Sequence, residues 1–297
     1  MHGLQQMKQA LNTRIDLLGI LLVLLLLTAC GGHNWNNPYA SEDAVRDTLY
    51  TVFTERPKHL DPVQSYSSNE IQFTAQIYEP PLQYHYLKRP YALIPATAKE
   101  MPKVKYLDAQ GNQLQGDVRT HDIIYSAYEI TIRPGIFFQP HPAFANDALG
   151  NGLFHNMNQQ ELASVHKLSD FPQTGTRELV ADDYVYQIKR LAHPKLHSPI
   201  FGLMADYIAG LREYAEVLKR AEQNQSAEKM FLDLRDYPLE GVQAVDRYTY
   251  RITVIGKYPQ FVYWLAMPFF APIPWEADRF YSQQGLIEKN ITLAYVS

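Results

Sequence analysis

The chain has 297 residues, which is enough for two domains of ordinary size. Hydrophobic residues make up 46% and charged residues 20%, a balance that is typical of globular proteins and excludes a disordered chain. The net charge is −4, and the absence of a dense basic block beyond the first residues argues against nucleic acid as the main partner.

The amino-terminal segment is typical of a secretory signal. A basic start precedes the apolar run "LLGILLVLLLL" (17–27), which is shorter than the roughly 20 residues needed to span a bilayer. The following "LTAC", which ends at Cys30, resembles the lipobox of bacterial lipoproteins, and this resemblance implies that Cys30 is acylated. An ordinary signal peptide with an incidental cysteine is the alternative. We predict a lipoprotein signal peptide over 1–29 and a flexible tether over 30–46.

The next segment is predicted to contain both strands and a helix. From Asn69 the sequence predicts a helix with Ile71, Ala75 and Tyr78 on its apolar face, stopped by the proline pair that begins at Pro80. The other elements predicted here are a strand in "DTLYTVFTE" (47–55), a turn-rich stretch in "LDPVQSYSSNE" (60–70), and a strand and turn in "YEITIRPGIFF" (128–138).

The segment 139–175 is rich in His, Asn and Gly, and we predict that it is a surface-loop insertion. After it, "ADDYVYQIKRLA" (181–192) predicts a helix that buries Tyr184, Ile188 and Leu191 and has acidic residues at its start. The remaining predicted elements are a helical region over 201–222 that is weakened at Gly210, a strand over 248–254, and a short helix in "PQFVYWLA" after Pro259. The order of elements is mixed α and β.

Five stretches resemble, in order, the extracellular solute-binding proteins of family 5, the oligopeptide- and dipeptide-binding components of ABC importers. They are "LDPVQSYSSNEIQFTAQIYEPPLQY", "ALIPATAKEMP", "YEITIRPGIFF", "LVADDYVYQIKRLAHP" and "GVQAVDRYTYRITVIGKYPQFVYWLAMPFFAPIPWEA". Each stretch alone is a weak signal, but five in the expected order behind a lipoprotein signal are strong. The resemblance covers most of 47–290, which we predict to be the amino-terminal portion of a solute-binding domain.

The resemblance implies an α/β fold of the two-lobed periplasmic binding protein type II, in which hinge closure encloses a ligand between the lobes. Members of the family are usually much longer than this chain. We therefore expect only the first lobe and part of its sheet, with the second lobe absent and a truncated end at 291–297. A cleft with one wall cannot exclude water from both sides of a ligand.

The resemblance also implies a first set of ligand-binding residues. In the family, the loop after Leu-Asp-Pro runs beside the ligand, where small hydroxyl side chains let a peptide backbone approach closely. Carried over to this sequence, these residues are Tyr66, Ser67, Ser68 and Asn69. The alternative is a solvated turn followed by a helix that Asn69 caps.

A second candidate set lies in "YPQFVYWLAMPFFAPIP", where aromatic and Met side chains could form adaptable apolar walls. The residues are Tyr263, Trp264, Met267, Phe269 and Phe270. The alternative is core packing of a short helix on a sheet. Phe269 and Phe270 are adjacent and cannot both face one way in an extended segment, so at most one is expected to line a cleft. The chain contains 21 tyrosines, a residue that suits wet binding surfaces as well as half-buried strands.

Other chemistry has weaker support in the sequence. His141, His155 and His166 form a loose group whose spacing fits no zinc pattern. The acidic pair Asp182 and Asp183 is better explained by the dipole of the helix that it begins. The sequence contains no G-x-S-x-G, P-loop or H-E-x-x-H motif, and we predict no catalytic residue, no metal site and no cofactor.

Together these patterns predict a substrate-binding lipoprotein of an ABC transporter that captures short peptides for import and is not an enzyme. The expected partners are a short peptide, an ABC permease in the inner membrane and the membrane itself through the lipid anchor; nucleic acid is not expected. The expected location is the periplasm or cell envelope. The alternatives are a binder of another solute of the same family (a sugar, a metal chelate or an opine), a structural or chaperone-like lipoprotein, a truncated non-functional remnant, and a lipoprotein hydrolase.

Overall fold

The structure is a computed structural model that describes residues 52–225 and 231–292. The predicted signal peptide, Cys30 and the tether lie outside the described residues. Of the strand predicted over 47–55, only the last residues are described, and 52–55 form no strand. The described residues from Thr54 onward form one compact unit.

Two antiparallel sheets supply the strands of the described residues. A two-stranded sheet pairs β1 with β2, and a four-stranded sheet has the order β3-β4-β6-β5. The strands are β1 (Leu82–Tyr84), β2 (Leu93–Pro95), β3 (Lys103–Leu107), β4 (Tyr125–Thr131), β5 (Val242–Asp246) and β6 (Thr249–Ile255). Every second residue of β6 is buried, namely Tyr250, Ile252 and Val254, because alternate side chains of a strand point to opposite faces. The strands predicted within 128–138 and 248–254 are confirmed.

Three helices of the described residues have ten or more residues, and the others are short. The helices are α1 (Ser68–Ile77), α2 (Gln159–Ala163), α3 (Ala181–Arg190), α4 (Phe201–Tyr207), α5 (Leu211–Gln223), α6 (Phe261–Trp264), α7 (Trp275–Tyr281) and α8 (Gln284–Ile287). The predicted weak point at Gly210 is confirmed, because this residue has a φ of 74° and separates α4 from α5. No helix within the described ranges is long and apolar enough to cross a membrane.

Helix α3 packs against the four-stranded sheet and carries the centre of the main core. Its predicted inner face is confirmed, since Tyr184, Ile188 and Leu191 are all buried. The Tyr184 ring stacks on Tyr250 of β6 with the ring centroids 4.9 Å apart. Each such side chain contributes about 1.5–3 kcal/mol by leaving water, which fixes α3 on the sheet. The mixed α/β architecture predicted from the order of elements is confirmed.

Helix α1 forms where it was predicted, but its buried residues are not those of the predicted apolar face. Ile71 and Ala75 are exposed, whereas Glu70 and Thr74 are buried. The cap is Ser67 rather than Asn69. The cause is the Glu70 carboxylate, which accepts four backbone N–H bonds, from residues 58, 59, 66 and 67, at 2.9–3.2 Å. Burial alone raises the pKa of Glu70, but these bonds outweigh it and lower the pKa to about 2.

The segment 139–175 is more ordered than the predicted surface loop. It contains α2 and contributes Ala143, Leu162 and Phe171 to a second hydrophobic core, separate from the main one. Helices α7 and α8 close this core with Phe280 and Leu286. That the segment is an insertion relative to family 5 remains a prediction.

Candidate ligand-binding surface

The loop after Leu-Asp-Pro is held in place by a buried ion pair. The guanidinium of Arg190, at the end of α3, donates to both carboxylate oxygens of Asp61, with Nη1–Oδ1 at 2.9 Å and Nη2–Oδ2 at 2.6 Å. Arg190 is 1% exposed and Asp61 is 2% exposed. The Asp61 carboxylate also accepts the backbone N–H of Val63 at 3.0 Å. The Asp of this motif therefore fixes the path of the loop toward Tyr66.

The same helix holds the second candidate segment. Gln187, on α3, donates its side-chain N–H to the backbone oxygen of Phe269 at 3.0 Å. From the other side, the backbone N–H of Leu82 in β1 donates to the oxygen of Leu265 at 3.1 Å. The segment that carries Tyr263 is thus fixed between α3 and the two-stranded sheet, so its exposed side chains are presented by a rigid support.

The structure brings part of the two predicted residue sets together. The rings of Tyr66 and Phe269 are in tilted contact, with their centroids 6.2 Å apart. Tyr66 is 71% exposed, and Tyr263 is 46% exposed. Ser67 and Ser68 are exposed, and Asn69 is half-buried. Most residues of the first predicted set are therefore accessible to solvent, as residues that contact a ligand must be.

The other members of the second set point into the protein. Phe270 is 1% exposed and packs edge-on against Phe261 at 5.8 Å between centroids. Trp264 is half-buried and donates its indole N–H to the Tyr258 hydroxyl at 3.2 Å. Met267 is half-buried against the main core. The alternative stated for this segment, core packing, therefore applies to Phe270, Trp264 and Met267. Phe269 is also buried, and its ring contacts the exposed ring of Tyr66.

Two tyrosines that were not predicted extend this surface. Tyr84 of β1 is 44% exposed and stacks on Tyr263, with the centroids 6.3 Å apart and the ring planes 19° apart. Tyr91 meets Tyr84 edge-on at 6.1 Å. We call the exposed rings Tyr84, Tyr91 and Tyr263, which these two contacts link, the aromatic surface. The signal was present in the sequence as a dense group of tyrosines in "YEPPLQYHYLKRPY", but a tyrosine count alone does not separate exposed rings from buried ones.

Among the described residues, the edge of strand β1 that faces away from β2 is open at Tyr84, beside this stacked pair. Pro81 and His85 bond to the β2 side of the hairpin, through Ala96 N–H at 2.9 Å and Ala92 oxygen at 2.8 Å. In an antiparallel pair the intervening residues point their N–H and C=O groups the other way, and Leu82 does so toward Leu265. Tyr84 points to the same edge, and its backbone N–H meets no backbone acceptor among the described residues. A free edge of this kind is a template for an additional strand.

The cavities found among the described residues are lined by residues outside the aromatic surface. Two of them, of about 470 and 510 Å³, share Arg235 and Trp275 in their walls and contain no residue of the aromatic surface. The charged groups there largely neutralise one another. Arg177 donates to both Asp183 and Glu276, and Arg235 pairs with Asp233 while its guanidinium carbon lies 3.4 Å from the centre of the Trp275 ring. These ion pairs compensate the charge of Arg177 and Arg235, which both line the second cavity.

The residues considered for metal binding serve local structure. The Nδ1 of His141 accepts the Ala143 N–H at 3.0 Å, so its Nε2 carries the proton and donates to the Tyr281 hydroxyl at 2.9 Å. His155 Nε2 lies 2.8 Å from the oxygen of Ala143, and His166 is exposed. The described ranges contain no group of three or more His, Cys, Asp or Glu that could hold a metal ion. Asp183 accepts the Val180 N–H at 2.9 Å and so caps the start of α3, while Asp182 is exposed.

Comparison with known proteins identifies similar solved structures only. No family model matches the chain, and no curated protein matches it. The pheromone receptor PrgZ, described for its mode of peptide binding, is 19% identical over 76% of this chain and 30% of its own, with a TM-score of 0.44. The Listeria monocytogenes protein OppA bound to peptide is 15% identical over 79% of this chain and 30% of its own, with a TM-score of 0.42.

A third similar structure is the Escherichia coli murein tripeptide binding protein MppA, which is 18% identical over 76% of this chain and 30% of its own, with a TM-score of 0.43. All three are described as binding peptides. The chain spans about 30% of the length of each.

Proposed function

We propose that this chain is the part of an ABC-importer binding lipoprotein that presents one wall of a peptide site. The observation that carries the proposal is the open edge of β1 at Tyr84, next to the stacked rings of Tyr84 and Tyr263. The five stretches that resemble family 5 support the same assignment.

An edge strand and neighbouring aromatic rings suit a ligand of variable sequence. A peptide laid along β1 bonds through its main chain, which all peptides share, and this binding mode gives affinity without reading side chains. The aromatic surface then covers apolar side chains, because tyrosine combines a flat apolar face with a hydrogen-bonding hydroxyl. The ligand is held and released without any change in its covalent structure.

The proposed partners and location follow from the opening segment of the sequence. Acylation at Cys30 anchors the protein to a membrane, and the tether at 30–46 separates the folded unit from the lipid. The protein is then held in the periplasm or cell envelope, where it delivers its ligand to an ABC permease. Mass spectrometry of the protein purified from membranes tests the anchor, because acylation adds a defined mass at Cys30.

The binding proposal is tested by isothermal titration of the complete protein with pools of short peptides. We expect heat from the peptide pool and a loss of affinity of about 5- to 30-fold in Tyr263→Ala, because a buried aromatic contact contributes about 1–2 kcal/mol. Leu203→Ala is the matched control, since this residue is exposed on α4 and is outside the aromatic surface. No heat with any peptide pool, but heat with sugars, opines or metal chelates, would transfer the assignment to another solute of the same family.

A further inference from the structure

The connection between β1 and β2 forms an exposed tip whose composition differs from the rest of the surface. We call residues 85–92, "HYLKRPYA", the hairpin tip. Tyr86 is 87% exposed and Leu87 is 74% exposed, so two large apolar side chains stand next to each other in water. Lys88 and Arg89 follow directly and are also exposed. Exposure of these apolar side chains to water is unfavourable in free energy, and a partner that covers them would remove that cost.

The hairpin tip is held by its own hydrogen bonds. The Nδ1 of His85 accepts the backbone N–H groups of Leu87 and Lys88 at 3.2 and 3.3 Å. The His85 N–H donates to the oxygen of Ala92 at 2.8 Å and closes the base. The guanidinium carbon of Arg89 lies 4.3 Å from the centre of the Tyr91 ring. These contacts use the inner atoms of the tip and leave the side chains of Tyr86 and Leu87 pointing outward.

The charge of the hairpin tip is uncompensated. Neither Lys88 nor Arg89 forms an ion pair with any residue in the described part of the chain. No acidic residue occurs from Pro80 to Lys99, although the whole chain has a net charge of −4. A locally positive tip on a negative protein is complementary to a surface that is itself negatively charged.

Exposed tyrosine and leucine next to cations is the chemistry of an interfacial membrane contact. Tyrosine concentrates at the headgroup level of bilayers, where its ring is in contact with acyl chains and its hydroxyl with water. Lysine and arginine near an anionic bilayer each raise partitioning by about fivefold. We propose that the hairpin tip contacts the surface of an anionic lipid bilayer. The inference goes beyond the proposed function and rests on it only for the lipid anchor that brings the protein to the membrane.

A lipid surface fits the size of the hairpin tip better than an acidic protein does. A specific protein interface buries about 1,200–2,000 Å² in total, which four side chains on a narrow hairpin do not supply. A lipid-anchored protein needs no such area, because the anchor already holds the tip at high effective concentration near the bilayer. Weak contacts by two apolar and two cationic side chains are then enough to orient the molecule.

The test uses the full lipidated chain on vesicles of phosphatidylcholine and phosphatidylglycerol, with and without bromine on the acyl chains. Tyr86→Trp places a fluorescent reporter at the tip, and Leu149→Trp places one at a position that is 88% exposed elsewhere. The signal of the parent protein is subtracted from both. We expect the Tyr86→Trp emission to shift to shorter wavelength and to be quenched by bromine several-fold more than the Leu149→Trp emission.

Adding Lys88→Gln and Arg89→Gln to the Tyr86→Trp variant should reduce the quenching by up to about 25-fold, because each lost cation lowers partitioning by about fivefold. Vesicle-bound protein whose Tyr86→Trp emission equals that in solution would overturn the inference while leaving the anchor intact. Protein that does not bind vesicles at all would contradict the lipid anchor. The hairpin tip would then be tested by the same bromine quenching, with a histidine-tagged chain attached to nickel-chelating lipids. A shift with poly-glutamate but not with vesicles would overturn the inference in favour of an acidic protein partner.

Discussion

The buried pair of Arg190 and Asp61 makes a strong prediction about stability. Asp61→Asn keeps the size of the side chain but leaves the Arg190 charge with weaker partners, Asp278 at 3.3 Å and the Gln187 side-chain oxygen at 3.1 Å. Removing one partner of a buried, hydrogen-bonded ion pair lowers the free energy of unfolding by about 3–5 kcal/mol. We expect this range because both residues are almost completely buried.

The assay is thermal unfolding of the full chain, followed by circular dichroism. For a unit of this size, 1 kcal/mol shifts the Tm by about 2–4 °C, so Asp61→Asn should lower the Tm by about 6–20 °C. The matched control is Asp122→Asn, which breaks an exposed pair with Arg119 at 3.0 Å and should cost less than about 1 kcal/mol. Equal Tm values for the two variants would refute the view that the Leu-Asp-Pro loop is held by a buried charge.

Three further predictions follow from packing and ionisation. Phe270→Ala should lower the free energy of unfolding by about 3–5 kcal/mol and Tyr263→Ala by less than about 1 kcal/mol, because only the first ring is in the core; comparable losses in urea unfolding would contradict these placements. Burial lowers the pKa of His141 to about 4, below its usual 6.5, so the stability it contributes is fully present above pH 6.5 and is lost as the pH falls toward 4. His141→Gln should flatten this part of the pH profile of unfolding, and an unchanged slope would disprove the assignment. Gly175→Ala should be strongly destabilising, because its Cβ would lie 2.0 Å from the backbone oxygen of Phe144, whereas Gly202→Ala meets nothing within 4 Å; equal melting curves would be inconsistent with this close approach.

The sequence predicted those elements whose formation depends on a local pattern of residues. The apolar spacing of α3 and the alternation of β6 identified the core faces around Tyr184 and Tyr250 because both faces are continuous in sequence. The break at Gly210 was also predictable, because glycine takes a positive φ without the strain that other residues incur.

Features that depend on distant partners could not be predicted in this way. The Glu70 carboxylate turns inward because it bonds to backbone N–H groups at residues 58 and 59, which reverses the apolar face expected for α1. The pair of Asp61 and Arg190 joins positions 129 residues apart. Of the predicted site residues, Tyr66 and Tyr263 are exposed, but the position of Tyr84 depends on the hairpin that brings it onto Tyr263. Aromatic identity alone did not show that Phe270 belongs to the core.

The central claim is that an extended peptide pairs with the open edge of β1, and amide hydrogen exchange at Tyr84 tests it most directly. Selective labelling of tyrosine and leucine allows the Tyr84 and Leu82 N–H groups to be followed by NMR before and after addition of a short-peptide pool. The account predicts that its exchange slows by about tenfold or more, as expected for an N–H that gains a backbone partner. The Leu82 N–H, already bonded to Leu265, should change little. Heat of binding in the same sample with an unchanged exchange rate at Tyr84 would show that the peptide is held elsewhere.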